Sequence, residues 1–389
     1  MNYIGESMDF RRHNEQAKKV WDAFGKGIPF KVPVFIYTDA RNWIFENELN
    51  KEGITLWDYV KDPEVMLDVQ LKAQEWRRLN IISDSPMGYP EGDDGWSVSV
   101  DFENYTELAW LGGAVEHGVE PHVPPFVSDV NKNEIFEKGI PSAFDGFGAT
   151  VREFYEHFID KSKDYLYKGC NIKDVSMPYN FCGTDGIFTL ACGMRGMTNF
   201  LNDILDDPDY AENLLDYITE AVIRRIKEIR LYLGEDIRSR HFGYADDAIV
   251  LLSPVLFEQL VLPRIKRIYD ELTVEDGSRS IHLCGDAQRF FPILQSECNV
   301  KMFDTGYPID FERLYDELSN DTEIWGGPSV VLLKNGTPCA IKDEVRRILG
   351  YVMPRTKKFV LRDGNAIIPG TPIENINAVY EACEEYGYY

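Results

Sequence analysis

Long apolar segments and clusters of positive charge are both missing from this sequence. No stretch approaches the roughly 18 uncharged apolar residues of a membrane helix, and Glu6 and Asp9 lie where a signal peptide would have its apolar core. Lys and Arg number 41 against 65 Asp and Glu, and the formal charge of −24 disfavours nucleic acid and anionic membranes as partners. We expect a cytoplasmic protein that binds a small molecule or another protein.

Cysteine is sparse as well. Seven residues in 389 and no C-x-x-C pair argue against a disulfide framework, so the thiols should be reduced. The sequence also lacks a phosphate-binding loop, a G-x-S-x-G nucleophile elbow and an H-E-x-x-H motif, and Gly146-Phe147-Gly148 lacks the third glycine of a dinucleotide fingerprint. None of these common motifs therefore identifies the chemistry.

Short runs rich in β-branched and aromatic residues recur along the chain, and helix-like sequence follows each run. This alternation is typical of parallel strands joined by helices, so the sequence predicts a single α/β domain over residues 1–389, a (β/α)8 or TIM barrel. We expect an N-terminal helical extension, with a helix at 14–24, and a long lid insertion after strand 2, at about 86–130. The predicted strands are residues 32–37, 80–84, 174–179, 241–246, 279–284, 301–304, 323–325 and 358–361.

Polar residues follow most of the predicted strands. A barrel of this kind carries its chemistry at the C-terminal ends of its strands, so these residues should surround one mouth. A carboxylate there either takes part in acid–base chemistry or caps a helix. The candidate catalytic residues are Asp84, Asp246 and Asp247, and the candidate substrate-binding residues are Tyr37, Asp39, Tyr179 and Asn180.

The fifth predicted strand carries two metal-ligating side chains. Alternate residues of a strand point to one face, so His282 and Cys284 should project together at its end. An ordinary buried strand is the alternative, because unliganded Cys is among the most buried residue types. Zinc sites need three or four N, S or O ligands, so this pair requires at least one more.

Several motifs resemble the uroporphyrinogen decarboxylase superfamily in their order and spacing, over nearly the whole chain. The His-x-Cys pair is similar to that of the zinc-dependent methyltransferases in this superfamily, which move methyl groups to or from corrinoid proteins. The motifs are the run 177–199 with Arg195-Gly196, then Asp207-Pro208, Ser253-Pro254 with Pro263, His282-Leu283-Cys284-Gly285, and Gly370-Thr371-Pro372 with Glu374-Asn375.

This resemblance implies a zinc ion held by His282 and Cys284, with the corrinoid carried by a partner protein. Methyltransferases of this branch have a third ligand, a Cys, where this chain has Asn365. An amide is a poor zinc ligand, so we expect a carboxylate to complete the site and Asn365 to contact the substrate. The candidate carboxylates are Asp363, which we take first, Asp247 and Asp304.

The function that the resemblance implies is methyl transfer from a small methylated donor to a corrinoid protein. A methoxylated aromatic donor would make the reaction an O-demethylation, with zinc as the Lewis acid and Asp246 or Asp247 orienting or protonating the leaving group. One alternative is a cofactor-free decarboxylase, because Ile82-Ser83-Asp84 resembles the catalytic Asp of the true decarboxylases. A second is a non-catalytic barrel that binds a corrinoid or another small ligand.

Overall fold

The computed structural model describes residues 8–91 and 94–389, and a six-stranded parallel sheet is its central element. The strands in the described residues are β1 Val34–Phe35, β2 Trp96–Ser99, β3 Leu166–Tyr167, β4 Cys170–Ser176, β5 Ser239–Ala245, β6 Thr273–Leu283, β7 Val300–Thr305, β8 Glu323–Gly326 and β9 Phe359–Arg362. The sheet has the order β1-β9-β8-β7-β6-β5, and a smaller sheet has the order β2-β4-β3. β9 is buried along its whole length, as a strand covered on both faces should be.

Helices follow most strands and pack against the sheet. They are α1 Phe10–Gly25, α2 Arg41–Ile44, α3 Leu56–Lys61, α4 Pro63–Asn80, α5 Thr106–Trp110, α6 Glu134–Lys138, α7 Phe147–Lys161, α8 Tyr179–Cys182, α9 Ile187–Arg195, α10 Met197–Asp206, α11 Pro208–Leu233, α12 Pro254–Leu256, α13 Leu262–Leu272, α14 Phe291–Cys298, α15 Leu314–Glu317, α16 Val330–Asn335, α17 Pro338–Val352 and α18 Ile373–Tyr386. For example, α13 contacts β5 and β6, and α14 contacts β7. None of the helices in the described ranges combines the length and apolar character needed to cross a membrane.

The register of the large sheet brings the ends of neighbouring strands side by side. His282 of β6 pairs with Ala245 of β5 on one side and with Asp304 of β7 on the other, and Trp325 of β8 comes next to Asp304. Because these strands are parallel, the loops that follow them leave the sheet at one edge. We call it the C-terminal edge, and in α/β folds this edge carries the ligands.

Six of the eight predicted strands form the large sheet, in the order that a barrel would give them. Residues 80–84 are not a strand, because α4 runs to Asn80. The backbone that follows is held by Asn377 Oδ1, which accepts from Ile82 N at 2.8 Å, and by a single backbone bond to β1, from Asp84 N to the Val34 carbonyl at 2.9 Å. The third predicted strand begins earlier, as β4, and joins the smaller sheet. The α/β fold is confirmed, whereas closure of the barrel stays a prediction.

The described part of residues 86–130, predicted as a lid insertion, packs into the fold. It contains β2, which pairs with β4, a 3-10 turn at Glu103–Tyr105 and the short helix α5. Trp96, Phe102 and Trp110 are buried in the hydrophobic core. Their burial anchors this segment to the rest of the chain, and its action as a lid stays a prediction.

α1 lies where the N-terminal helix was predicted and covers the segment after α4. The indole of Trp21 donates to the Asp84 carbonyl at 2.6 Å, and His13 Nε2 lies 2.8 Å from the Ser83 carbonyl oxygen. Asp9 accepts from Arg12 N at 3.1 Å, which caps the first turn of the helix. The helix therefore satisfies backbone groups that strand pairing leaves free.

Candidate metal centre and adjoining cavity

Three side chains with metal-ligating atoms meet at the C-terminal edge. One ligand atom each of Asp247, His282 and Cys284 lies within 4.8 Å of the other two. His282 is in β6, Cys284 follows that strand directly, and Asp247 begins the 3-10 turn after β5. His282 Nε2 lies 3.1 Å from Cys284 Sγ, and the Cys284 amide donates to Asp247 at 2.7 Å. The alternation of β6 thus places His282 and Cys284 on one face, as predicted.

A glycine of the neighbouring loop allows this close packing. Gly306 follows β7, and a Cβ there would lie 2.7 Å from Cys284 Cα and 3.1 Å from its sulfur. Gly306 N also donates to the Leu283 carbonyl at 2.8 Å, which holds the loop against the end of β6. Any larger residue at 306 would displace the thiol, so this glycine fixes the position of the sulfur.

Hydrogen bonds behind the group orient the imidazole. His282 Nδ1 lies 2.9 Å from Asp304 Oδ2, and Arg362 Nη1 donates to both oxygens of Asp304 at 2.6 and 2.7 Å. Burial lowers the pKa of His282, but the bonds to Asp304 and to the Cys284 sulfur outweigh burial and hold this pKa well above its ordinary value. The ring is therefore bonded at both nitrogens.

Asn365 contacts the sulfur but does not present an oxygen to it. Its Nδ2 donates to Cys284 Sγ at 3.1 Å, while its Oδ1 accepts from Ala366 N at 2.8 Å. The second bond fixes the orientation of the amide, so the NH2 group faces the thiol. One nitrogen, one sulfur and one carboxylate oxygen could hold a metal ion here, and this donor set fits zinc with an open position.

Asp363, our first candidate for the third ligand, lies outside the group of three. It is fully buried, and it accepts from Tyr37 N at 2.9 Å and from Arg362 Nη2 at 3.3 Å. Burial raises its pKa to about 6, and the Arg362 guanidinium opposes that rise. Its contacts tie the end of β9 to the loop after β1.

Asp246 and Asp84, two of the three candidate catalytic residues, are hydrogen-bonded to other residues of the fold. Asp246 is buried and accepts from the amides of Phe188 and Thr189 at 3.0 and 2.8 Å, near the start of α9. Burial raises its pKa to about 7 although these bonds lower it. Asp84 is also buried, and it accepts from Lys31 Nζ at 3.1 Å beside the start of β1. Each carboxylate therefore already has hydrogen-bond partners within the protein.

A cavity of about 730 Å³ lies next to the metal group, between the loops after β1 and β4. Four of the five predicted substrate-binding residues line it, namely Tyr37, Asp39, Tyr179 and Asn180. The fifth, Asn365, is not among the lining residues and contacts the Cys284 sulfur. Asp185 lines the cavity as well. Burial and the nearby Glu107 raise the pKa of Asp185 to about 7, and the charge of Asp247 adds a smaller rise. Gly186, the next residue, packs against Asp246, where an added Cβ would lie 2.4 Å from Asp246 Cβ, so this side of the cavity lies beside the loop that carries Asp247.

Three further carboxylates that were not predicted from the sequence line the cavity, and two of them, Asp101 and Glu103, lie side by side in the chain segment after β2. Tyr59 OH donates to Asp101 at 2.9 Å, whereas Glu103 lies 3.4 Å from Arg41 and keeps one buried oxygen without a partner among the described residues. Burial and the nearby Asp101 raise the pKa of Glu103 to about 8. Their only signal in the sequence is acidic character within an irregular segment, and no periodicity locates such residues.

A buried ion pair supports the loop that carries Asn180 and Asp185. Arg225 and Glu107 are both fully buried and lie 2.6 Å apart. Arg225 also donates to the Gly183 carbonyl at 2.6 Å, and Glu107 accepts from Asp185 N at 2.5 Å. The pair holds this wall of the cavity from behind.

Comparisons with known proteins give one family and two similar proteins. The family described as Uroporphyrinogen decarboxylase (URO-D) matches residues 181–386. A curated relative from Methanosarcina mazei, a methylated-thiol–coenzyme M methyltransferase, is 29% identical over 210 residues, which are 51% of this chain and 51% of the relative. The match therefore spans about half the length of that relative.

A solved structure extends the comparison over the whole fold. A methyltransferase from Methanosarcina mazei superimposes with a TM-score of 0.62 and covers 95% of this chain and 98% of its own, at 19% identity. At that identity, the likeness shows a shared fold.

Proposed function

The chain belongs to the uroporphyrinogen decarboxylase family, and from this premise we propose that it is a corrinoid-dependent methyltransferase. The observation that carries the proposal is the group of Asp247, His282 and Cys284 at the C-terminal edge. Support also comes from the two Methanosarcina proteins, since each is described as a methyltransferase. The reaction is transfer of a methyl group from a small donor to a corrinoid carried by a partner protein.

We assign zinc to His282 Nε2, Cys284 Sγ and a carboxylate oxygen of Asp247. Catalytic zinc sites have three protein ligands of this kind and an open fourth position. Asp247 takes the place that we first gave to Asp363, because Asp363 is fully buried and bonded elsewhere. When bound, zinc supplies Lewis-acid polarisation of the donor's heteroatom.

The cavity receives the methyl donor in this proposal. Its volume of about 730 Å³ is within the range of small-molecule sites. The rings of Tyr37 and Tyr179 and the amide of Asn180 line it, and an aromatic ring with polar substituents matches such a lining. The donor is a methoxylated aromatic compound, and the reaction is an O-demethylation.

The chemistry requires a proton at the leaving oxygen. As the methyl group passes to reduced cobalt, the electron pair of the oxygen–carbon bond stays on oxygen and gives a phenolate. Asp185 lines the cavity, and its pKa of about 7 leaves part of its population protonated near neutral pH. We assign it the role of general acid. Asp246, our earlier candidate, has its carboxylate engaged at the start of α9.

The decarboxylase alternative depends on Asp84. That carboxylate is bonded to Lys31 and to Val34 N beside the start of β1. The cavity is lined by other residues. No observation therefore favours decarboxylation over methyl transfer.

The direct test uses free cob(I)alamin as acceptor and 2-methoxyphenol as donor. Wild-type protein loaded with zinc is expected to form methylcobalamin, seen by absorbance, and the demethylated phenol, seen by mass spectrometry. Cys284→Ser should abolish both products, whereas Cys339→Ser, a change at an exposed thiol, should leave them unchanged. Zinc-loaded wild-type protein that gives no product with any methoxylated aromatic would contradict the proposal and favour a non-catalytic barrel.

A further inference from the structure

The contacts behind His282 form a chain of three residues that crosses the sheet. Asp304 is the register partner of His282 in the β6–β7 pair, and its Oδ2 lies 2.9 Å from His282 Nδ1. Arg362, the last residue of β9, reaches Asp304 from across β8 and contacts both of its oxygens through Nη1. The chain therefore links the ends of three strands to one imidazole.

Arg362 is itself held rigidly. Its guanidinium is buried, its Nε donates to the Asp363 carbonyl at 3.0 Å, and its Nη2 contacts the Asp363 carboxylate at 3.3 Å. Asp363 in turn accepts from Tyr37 N at 2.9 Å. Because the guanidinium is planar, these contacts fix the direction in which Nη1 points and hence the position of Asp304.

The geometry of Asp304 limits what the imidazole can do. A carboxylate bonded to a guanidinium accepts hydrogen bonds and has none to donate, so His282 must carry its proton on Nδ1. In the neutral form of the ring, the form that binds a metal, the lone pair then lies on Nε2, the nitrogen that faces Cys284 Sγ at 3.1 Å. A carboxylate in this position also orients the ring of a metal-binding histidine and increases its basicity.

We propose that Asp304, clamped by Arg362, is a positioning residue that fixes the tautomer and ring orientation of His282 for metal binding. This inference rests on the proposed zinc site and is independent of the identity of the methyl donor. It also gives a role other than ligation to a residue that the sequence offered as a third ligand. Both oxygens of Asp304 are engaged with Arg362, and the group of ligand atoms is formed by Asp247, His282 and Cys284.

The test measures zinc affinity by competition with a chromogenic chelator. Asp304→Ala should weaken zinc binding about 10- to 100-fold, the usual effect of losing such a partner. Asp304→Asn should fall between the wild type and Asp304→Ala, because an amide oxygen still accepts from Nδ1–H. The control is Asp216→Asn, which removes a carboxylate bonded to Arg264 at 2.7 Å on α11 and should not change zinc affinity.

Nitrogen NMR of the zinc-loaded protein separates positioning from general stability. The chain has 6 histidines, so a 15N-histidine spectrum is simple enough to assign His282 with a His282→Gln variant. Wild-type His282 should show protonated Nδ1 and metal-bound Nε2, and Asp304→Ala should show a mixture of ring states at equal overall fold. If Asp304→Ala has the same zinc affinity and the same His282 tautomer as the wild type, the inference is overturned. A wild-type protein that binds no zinc would also overturn it. If the Asp304 variants change zinc binding as expected but the wild type transfers no methyl group, only the proposed function is overturned.

Discussion

The C-terminal edge of the large sheet and the adjoining cavity differ in how their charges are satisfied. At the edge, His282, Asp304 and Arg362 are joined by short hydrogen bonds between strands in regular register. In the cavity, Glu103 has a left-handed backbone with φ of 53° and a buried carboxyl oxygen that no described residue contacts.

This difference indicates that the edge and the cavity have different roles. The edge is preorganised by the sheet, so a metal can bind there with little rearrangement. The cavity contains costly groups, since a strained backbone and an unpaired buried oxygen each lower stability. Such costs are typical of places that a bound ligand completes.

Loss of Arg225 should have the largest effect, on the cavity side. Arg225→Ala leaves the Glu107 charge buried without its partner, and we expect the free energy of unfolding to fall by about 3–5 kcal/mol, measured by urea denaturation. Arg346→Ala removes an exposed ion pair and should have little effect. An Arg225 variant as stable as this control would mean that the pair does not support the cavity wall.

At the edge, His282→Ala should weaken zinc binding about 100-fold or more, because two ligands remain of three. His122→Ala is the matched control, since His122 is exposed and lies in the segment after α5. Zinc content after dialysis, measured by atomic emission, checks both variants. Equal zinc content in the two variants would place the metal elsewhere.

One substitution at the C-terminal edge should increase the affinity for zinc. Asn365→Cys places a second thiol beside Cys284 Sγ, where the amide now lies 3.1 Å away, and should tighten zinc binding about tenfold because thiolate is a better ligand than an amide. The measurement is chelator competition under reducing conditions, with Asn365→Ser as control. If the Cys and Ser variants bind zinc equally, residue 365 does not face the metal.

The smallest effect is a pH dependence in the cavity. The pKa of Glu103 is about 8 against an ordinary 4.5, so the folded protein binds this proton more tightly than the unfolded chain. The resulting stabilisation is complete below about pH 4.5 and is lost as the pH rises toward 8. Glu103→Gln cannot ionise and should remove about 1 kcal/mol of the fall in unfolding free energy between these limits.

Thermal denaturation across that pH range checks this prediction. Glu153→Gln changes an exposed glutamate on α7 and should follow the wild-type curve. If Glu103→Gln also follows the wild-type curve, burial does not raise the pKa of the Glu103 carboxyl group.

The same contrast explains what the sequence could predict. The proximity of His282 and Cys284 was predictable because strand alternation determines where their side chains point, and the register then brings Asp304 beside His282. The sequence could not show that Asp247, rather than Asp363, lies beside His282 and Cys284, since that depends on loop paths and on the contacts of Arg362. Asp101 and Glu103 were missed because their positions depend on tertiary packing of an irregular segment.

The order of the large sheet was predictable for a similar reason. Helix-like sequence after each strand dictates parallel neighbours, and six strands follow that rule. Residues 80–84 depart from it because Asn377, distant in sequence, supplies a hydrogen bond that a neighbouring strand would otherwise make. Local pattern carries no information on such a partner.

We claim that Asp247, His282 and Cys284 bind zinc together, and zinc X-ray absorption of the purified protein tests this claim. We expect one sulfur neighbour at about 2.3 Å and nitrogen or oxygen neighbours at about 2.0–2.2 Å. The sulfur neighbour should disappear in Cys284→Ser. A wild-type spectrum with two or more sulfurs, or with the same sulfur signal in Cys284→Ser, would contradict the claim.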